Sequence, residues 1–246
     1  MQKKLIALLV CVVITSSSYA QGKLFENWAV GLNAGLYGYG IQGATSLSPN
    51  IKARAGFDFI SYTHNDAIDF EFNAIKNGLS LNHTIIGAFY DTKLKFTNAK
   101  VMIDYYPMKT GILCFTAGVY LGKNNVYFNG QIDDYEQYAD MPNMGDENII
   151  IQPNRDGSFN ATFKLKNSVK PYLGLGLGRT IPKSRIGFKF ELGVVYQGDW
   201  KMESDNVANN NYSVNDFLNL MDDFPISEKT LKLWPMLNFT LSYKIK

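Results

Sequence analysis

Two histidines are the residues with the most evident catalytic chemistry. His64 and His83 are the only histidines in the 246-residue chain, and histidine is the usual general base near neutral pH. Hydroxyl and carboxyl groups that could complete a proton-transfer group lie nearby in sequence: Ser61, Asp66, Ser80 and Asp91. Their spacing matches no catalytic motif, so the sequence predicts solvated loop histidines and keeps a catalytic group as an alternative.

Two further patterns suggest ligand sites, and both have simpler explanations. Carboxylates, which are calcium ligands, are concentrated at Asp133, Asp134, Glu136, Asp140, Asp146, Glu147, Asp222 and Asp223. They lack the spacing of a calcium loop, and hydration of surface loops explains them. Residues 38–43 match the dinucleotide fingerprint, but a turn follows where that motif requires a helix. The sequence therefore predicts no metal and no cofactor.

Another set of charged residues lies on the polar faces of predicted strands. Its members are Lys52, Arg54, Asp58, Asp104, Lys189 and Glu191. If these strands close into a small barrel, the interior has room only for side chains. Opposite charges are then expected to pair inside the barrel and fill it. A solute path through the barrel is the alternative, and it would require those pairs to rearrange.

Strands are predicted because apolar and polar residues alternate over much of the chain. Residues 186–197 place Phe188, Phe190 and Leu192 on one face and Lys189 and Glu191 on the other. The same pattern or short apolar runs give strands at residues 28–36, 39–47, 51–60, 101–106, 113–121, 169–178, 186–197 and 233–245. The first two result from splitting 28–47 at Tyr37-Gly38, since a barrel with both ends on one side needs an even number of strands. An extra strand within residues 79–98 is the alternative way to reach an even number.

The connections between these strands alternate between short and long. The short ones are residues 48–50, 107–111 and 180–184, and the long ones are about 63–98, 122–168 and 198–232. This alternation is typical of an antiparallel up-and-down transmembrane barrel with short periplasmic turns and long extracellular loops. Within the second long loop, the turn-forming residues 154–157 lie between two apolar runs and predict a local hairpin.

Aromatic residues at the predicted strand ends favour a membrane location. At the predicted periplasmic ends of the strands lie Trp28, Tyr105 and Tyr243. Near the long-loop ends lie Tyr62, Tyr120, Tyr196 and Trp234. Two such belts are expected where amphipathic rings meet the two membrane interfaces. The alternative is that aromatic residues merely favour strands.

The first residues predict export. Lys3 and Lys4 precede an apolar run, and Ser18-Tyr19-Ala20 forms a small-x-small cleavage site, so residues 1–20 read as a signal peptide and residues 21–246 as one barrel domain. The chain has 24 basic and 22 acidic residues, and loss of Lys3 and Lys4 balances the charge. A balanced charge supplies no footprint for nucleic acid. Cys114 would be the only remaining cysteine, which excludes an intrachain disulfide framework.

Several strand motifs resemble those of small outer-membrane β-barrel proteins of the OmpA, OmpX and OmpW type. They are AGLYGYG at residues 34–40, IDYYP at 103–107, FTAGVY at 115–120, KPYLGLG at 170–176 and FELGVVYQG at 190–198. The resemblance covers most strands and few loops, and it implies a barrel in the cell outer membrane without implying a shared reaction.

The prediction is therefore an all-β, eight-stranded barrel in the outer membrane with a non-enzymatic structural, adhesive or small-solute role. Expected partners are outer-membrane lipid, lipopolysaccharide and the barrel assembly machinery, with a monomeric state. One alternative is a soluble exported barrel of lipocalin type, whose apolar face would point inward onto a ligand. Another is a lipid-modifying enzyme that uses the two histidines.

Overall fold

The structure is a computed structural model that describes residues 24–65, 68–76, 79–108, 110–134, 143–145, 150–206 and 232–245, with side chains described outside 68–76, 79–86, 143–145 and 150. In these segments the fold is all-β. The strands are β1 (Trp28–Gly35), β2 (Gly38–Ser46), β3 (Ile51–His64), β4 (Ile68–Lys76), β5 (Leu79–Tyr105), β6 (Leu113–Ile132), β7 (Asn143–Gly145), β8 (Ile150–Ile151), β9 (Ser158–Leu165), β10 (Val169–Gly178), β11 (Ile186–Tyr196), β12 (Trp200–Glu203) and β13 (Leu233–Lys244). None of the described residues forms a helix long and apolar enough to cross a membrane.

Eight of these strands form a closed antiparallel ring. Its order is β1, β2, β3, β5, β6, β10, β11 and β13, and β13 pairs with β1 to close it. Consecutive ring strands are neighbours, so the barrel is of the up-and-down type and its closure leaves no open edge within the ring. The predicted eight-stranded barrel is confirmed.

The tight turn between β1 and β2 confirms the split that the sequence predicts there. Gly38 has a φ of 96°, a left-handed conformation that favours glycine. A Cβ atom at Gly38 would also lie 2.1 Å from the backbone oxygen of Phe59 on β3. A side chain at this position would push β3 away, so glycine both permits the turn and lets the next strand approach.

The two faces of the wall differ in polarity. Phe188 on β11 is 75% exposed, whereas the adjacent Lys189 is 2% exposed and points into the lumen. The outward face carries a band of exposed apolar side chains that includes Leu32, Ile41, Phe57, Leu173, Leu175, Leu192, Phe239 and Leu241. The apolar face therefore points outward, as in a barrel that spans a bilayer, and opposite to the lipocalin alternative.

The two ends of the barrel differ in height. At the short-turn end, the chain reverses near residues 47–50, 106–112 and 179–185. At the long-loop end, β3 and β5 stay paired up to His64 and Thr92, and β5 and β6 up to Gly87 and Ile132. Most of the predicted loop 63–98 and the start of the predicted loop 122–168 are therefore strand, and the loop prediction was wrong there. The predicted strands end where their outer face no longer carries apolar residues. A strand can continue beyond that point, because outside a membrane its outer face need not be apolar.

Further strands extend this taller side of the barrel. β4 pairs with the upper part of β5, β9 with the upper part of β6, and β12 with β9. Edge-to-face ring contacts give this extension its own aromatic core, formed by Phe89, Phe128, Phe159 and Phe163. The predicted turn at 154–157 is present, with the Asn154 amide donating to the Ser158 carbonyl at 2.8 Å. The predicted local hairpin is wrong, because β9 pairs with β6 and β12, whereas Ile150–Ile151 pairs with β7.

Candidate functional site: the charged lumen

Four charged side chains form an ionic layer across the lumen. Arg54 on β3 places Nε 3.1 Å from Asp104 Oδ2, and its Nη2 also contacts Glu191 Oε2. Lys189 on β11 lies 3.0 Å from Asp104 Oδ1 and 2.8 Å from Glu191 Oε2, measured from its Nζ. All four side chains are at most 3% exposed. Two cations and two anions thus alternate in a closed quartet, so each charge removed from water has two opposite partners.

Hydroxyl groups complete the hydrogen bonding of the two carboxylates. Thr116 donates to Asp104 Oδ1 at 2.6 Å, and Thr180 donates to Asp104 Oδ2. Tyr172 donates to Glu191 Oε1 at 2.7 Å. These donors come from β6, β10 and the turn that follows β10. Together with β3, β5 and β11, which carry the quartet, five consecutive strands of the ring are connected. Carboxylates with this many donors are held in a single geometry.

A second buried pair lies beside the quartet. Lys100 Nζ on β5 is 3.0 Å from Asp58 Oδ1 on β3, and both side chains are 2% exposed. Asn33 on β1 donates to the same carboxylate oxygen. This pair extends the polar network to the wall formed by β1, β3 and β5.

One ion pair connects opposite sides of the barrel. β3 and β11 are four positions apart in the eight-membered ring, so the contact between Arg54 and Glu191 spans the lumen through its centre. An eight-stranded barrel is only wide enough for side chains to fill. At this level the side chains therefore occupy the full width of the barrel.

An aromatic layer crosses the lumen above the ionic one. The Tyr37 ring lies 5.0 Å from Tyr120 and 5.7 Å from Phe96, and Phe96 lies 6.3 Å from Trp234 across the ring. The Tyr37 hydroxyl donates to Gln197 at 3.0 Å. Tyr120 is 1% exposed, and Trp234 packs against the same core cluster. Assigning these two residues to an outer aromatic belt was therefore wrong, whereas Trp28, Tyr105, Tyr243, Tyr62 and Tyr196 are exposed as predicted.

The short-turn end is closed by the turn between β10 and β11. Ile181 in this turn packs with Ala29 and Ala44 on β1 and β2. The Thr180 amide donates to the Tyr106 hydroxyl at 2.8 Å, and that hydroxyl lies 3.1 Å from Thr180 Oγ1. Because the turn folds inward, it covers the mouth of the barrel at the short-turn end.

One solved structure supports the fold, whereas comparisons of the sequence found no relative. No protein-family model and no curated protein sequence matches the chain. The crystal structure of CarO from Acinetobacter baumannii matches with a TM-score of 0.52 and 18% identity, covering 87% of this chain and 96% of CarO. The chain therefore has the fold of an outer-membrane β-barrel protein.

Two other solved structures were also matched. The crystal structure of CarO2 from Acinetobacter baumannii gives a TM-score of 0.46 and 17% identity over 91% of this chain and 100% of that one. A major outer membrane protein from Thermus thermophilus gives a TM-score of 0.36 and 14% identity over 89% of this chain and 98% of that one.

In an outer-membrane barrel the short-turn end faces the periplasm and the long-loop end faces the exterior.

Five of the six interior charges predicted from the sequence meet in the lumen. They are Arg54, Asp58, Asp104, Lys189 and Glu191. Lys52 is half-buried and instead donates to Ser46 Oγ at 3.1 Å and to the Ser48 carbonyl at 2.8 Å, near the periplasmic mouth. Sequence reasoning missed Lys100, although the alternation that places Asp104 inward also places Lys100 inward.

Within the part of the chain that the structure describes, the other candidate ligand and catalytic residues do not form a site. The His64 ring stacks on Tyr62 with centroids 6.4 Å apart, and the side chain of His83 lies outside the described residues. Asp133 and Asp134 follow β6, whereas the side chains of the remaining acidic residues lie outside the described part. Within that part, no group of histidine, cysteine and carboxylate side chains could hold a metal. The glycine motif at 38–43 lies in β2, a strand, as expected for a chance match.

Proposed function

We propose that this barrel is a closed, non-catalytic membrane anchor that carries a rigid β-structured surface above the outer membrane. The observation that supports the proposal best is the contact between Arg54 and Glu191, which joins opposite strands of the ring. A solute path would have to break this contact and the quartet around it. Breaking a buried ion pair leaves an uncompensated charge, which is strongly unfavourable.

The layers above and below the quartet support the same function. Phe96 and Trp234 meet from opposite strands on the external side, and Ile181 closes the periplasmic side. A solute would therefore meet an aromatic layer, an ionic layer and a folded turn in succession. Rearrangement of the ion pairs alone would not open such a path.

The external extension suggests a structural or adhesive role. β9 and β12 continue the sheet from β6, and the four-phenylalanine core stiffens this region. A surface built on paired strands is held more firmly than one built on loops, which suits contact with a partner outside the cell. In this role the barrel acts as a monomeric anchor, and its partners in the membrane are outer-membrane lipid, lipopolysaccharide and the assembly machinery.

A planar-bilayer recording tests whether the lumen is closed. The purified barrel should insert without producing discrete conductance steps, whereas an open porin recorded under the same conditions should produce them. Insertion is verified by recovering folded protein from the bilayer. Reproducible steps from the wild-type barrel, lost in a sample that has been unfolded by heat, would show that the lumen conducts and that the proposal is wrong.

Envelope lipid analysis tests whether the barrel is non-catalytic. Deletion of the gene should leave the acyl pattern of lipid A and phospholipids unchanged by mass spectrometry. A variant with His64→Ala and His83→Ala should also match the wild type, because no proton transfer by these side chains is used. If deletion shifts the pattern and the folded double variant fails to restore it, the barrel is a lipid-modifying enzyme.

A further inference from the structure

The outer surface of β5 and β6 changes from apolar to basic at a single level of the barrel. On β6 the outward residues Val119 and Leu121 are followed by Lys123, and on β5 the outward Val101 and Ala99 are followed by Thr97 and Lys95. The strand register pairs Ala99 with Leu121 and Thr97 with Lys123. The two strands therefore leave the apolar band together, and the lysines stand directly above its external boundary.

Three of these lysines are close enough to contact one ligand. Lys93 and Lys95 are alternate residues on β5, so they point outward about 7 Å apart. Lys123 lies diagonally across from Lys95 on the neighbouring strand, at about 7 to 8 Å between backbone positions. All three are exposed. None of them forms an ion pair with another of the residues that the structure describes.

The basic row continues onto the extension. Lys164 on β9 and Lys201 on β12 lie in the same cross-strand row as Lys95 and Asn125. Glu203 accepts hydrogen bonds from Lys164 and from Lys201, the latter at 3.3 Å, and the bond from Lys164 lowers the pKa of the Glu203 carboxyl. Exposed Asp91 is a further carboxylate beside this row. The five lysines thus outnumber these two carboxylates, and the unpaired positive charge is concentrated at Lys93, Lys95 and Lys123.

A polar concavity lies directly above the lysines. Asn129 on β6 pairs in register with Tyr90 on β5 and Asn160 on β9, one step above the pair formed by Lys93 and Tyr127. Together with Gln131, Asn154 and Ser158, these residues line a depression of about 350 Å³. Amide and hydroxyl groups around an exposed aromatic ring can hydrogen-bond to sugar hydroxyls and pack against a sugar ring.

We propose that this outer wall binds a phosphorylated glycolipid of the outer leaflet, with its phosphate groups on Lys93, Lys95 and Lys123. The surface has three tiers in the order that such a molecule presents them: apolar residues for acyl chains, lysines for phosphate, and an amide-lined depression for sugar. The described residues on the opposite side of the ring offer no such tiers, since the exposed residues at the rim of β1 and β13 are Leu36 and Leu233. The inference rests on the proposed membrane placement but not on the closure of the lumen.

The test measures glycolipid retained by the purified full-length barrel in nanodiscs, using native mass spectrometry. The probes are bisphosphorylated lipid A, its dephosphorylated form and phosphatidylglycerol, with inorganic phosphate as a competitor. The variant is Lys93→Ala, Lys95→Ala and Lys123→Ala together. The matched control removes three basic residues from the periplasmic boundary, Lys183→Ala, Arg185→Ala and Lys244→Ala.

Wild type and control should retain bisphosphorylated lipid A equally, and the lysine variant should retain it roughly 10²-fold less, as expected for three basic residues near a charged headgroup. Dephosphorylated lipid A and phosphatidylglycerol should bind the wild type more weakly, and inorganic phosphate should not displace the glycolipid. Equal retention by the lysine variant, or equal binding of either other lipid, would overturn the proposal.

Two further measurements separate this result from the closure of the lumen. Heat-modifiable gel mobility should show that the lysine variant folds, so that loss of lipid is not loss of the barrel. Conductance of the same samples reports on the lumen alone. A conducting wild type with lysine-dependent lipid binding would contradict only the proposed closure, and a closed wild type with lysine-independent binding would contradict only the lipid site.

Discussion

Strand β5 carries lysines on both of its faces, and the two environments differ. Lys100 points into the lumen, is 2% exposed and lies 3.0 Å from Asp58. Lys95, on the outer face of the same strand, is exposed and forms no ion pair within the described residues. A charge that is removed from water needs a partner, whereas a charge in water does not.

This difference separates two uses of charge in one wall. Inside, Arg54, Lys100 and Lys189 are each bound to carboxylates, so they brace and fill the lumen. Outside, on β5 and β6, the described residues of the apolar band carry no charge, and the lysines begin only above it. We propose that the inner charges are structural and that the outer ones are available to a ligand.

The largest expected effect comes from removing an inner cation. Arg54→Ala leaves Asp104 and Glu191 buried with only Lys189 between them, which should destabilise the barrel by about 3–5 kcal/mol. Urea unfolding in lipid vesicles, followed by tryptophan fluorescence, measures the change. The control Lys95→Ala should change stability by no more than about 0.5 kcal/mol. Similar losses in the two variants would show that the inner charges have no special structural role.

A new charge in the outer band should have the next largest effect. Phe190 lies between Lys189 and Glu191 in the sequence and faces outward. Its ring centroid is 5.0 Å from that of Phe239. Phe190→Lys should destabilise the barrel by about 2–4 kcal/mol, since a lysine near the bilayer midplane has no water. Phe190→Leu is the control and should refold into vesicles almost as well as the wild type. If Phe190→Lys refolds as efficiently as Phe190→Leu, this face does not contact lipid.

A smaller effect is expected at the periplasmic mouth, where neighbouring tyrosines point to opposite sides. The Tyr106 hydroxyl, inside the barrel, accepts a hydrogen bond from the Thr180 amide, whereas Tyr105 is exposed on the outer face. Tyr106→Phe leaves that buried amide without its partner, which should cost about 1–3 kcal/mol. Tyr105→Phe should be nearly neutral in the same urea titration. Equal stability of the two variants would mean that the inward turn does not depend on this hydrogen bond.

The alternation of apolar and polar side chains along each strand explains why much of the barrel could be predicted from the sequence. It assigns strands and faces together, so the alternation around Lys189 and Glu191 predicted both the strand and its inner charges. Lys100 was missed because the predicted strand began one residue later, at Val101. Tyr120 and Trp234 were misplaced because an aromatic residue near a strand end is favourable both in the lumen and at the interface.

Non-local contacts explain the remaining differences. Nothing in the turn sequence shows that Ile181 folds inward onto Ala29 and Ala44, since that contact joins distant parts of the chain. The pairing of β9 with β6 rather than with Ile150–Ile151 is also a choice between long-range partners. Local patterns specify strands and turns, but they do not specify which distant strand is the neighbour.

Lysine acylation tests the contrast between the two faces most directly. The folded barrel, in detergent free of glycolipid, is treated with an amine-reactive ester, and modified sites are quantified by peptide mass spectrometry. Lys93, Lys95 and Lys123 should react rapidly, whereas Lys100 and Lys189 should react only after unfolding in denaturant, where all five become equivalent. If Lys100 and Lys189 in the folded barrel react as fast as Lys95, the lumen is open to solvent and its ionic layer does not seal it.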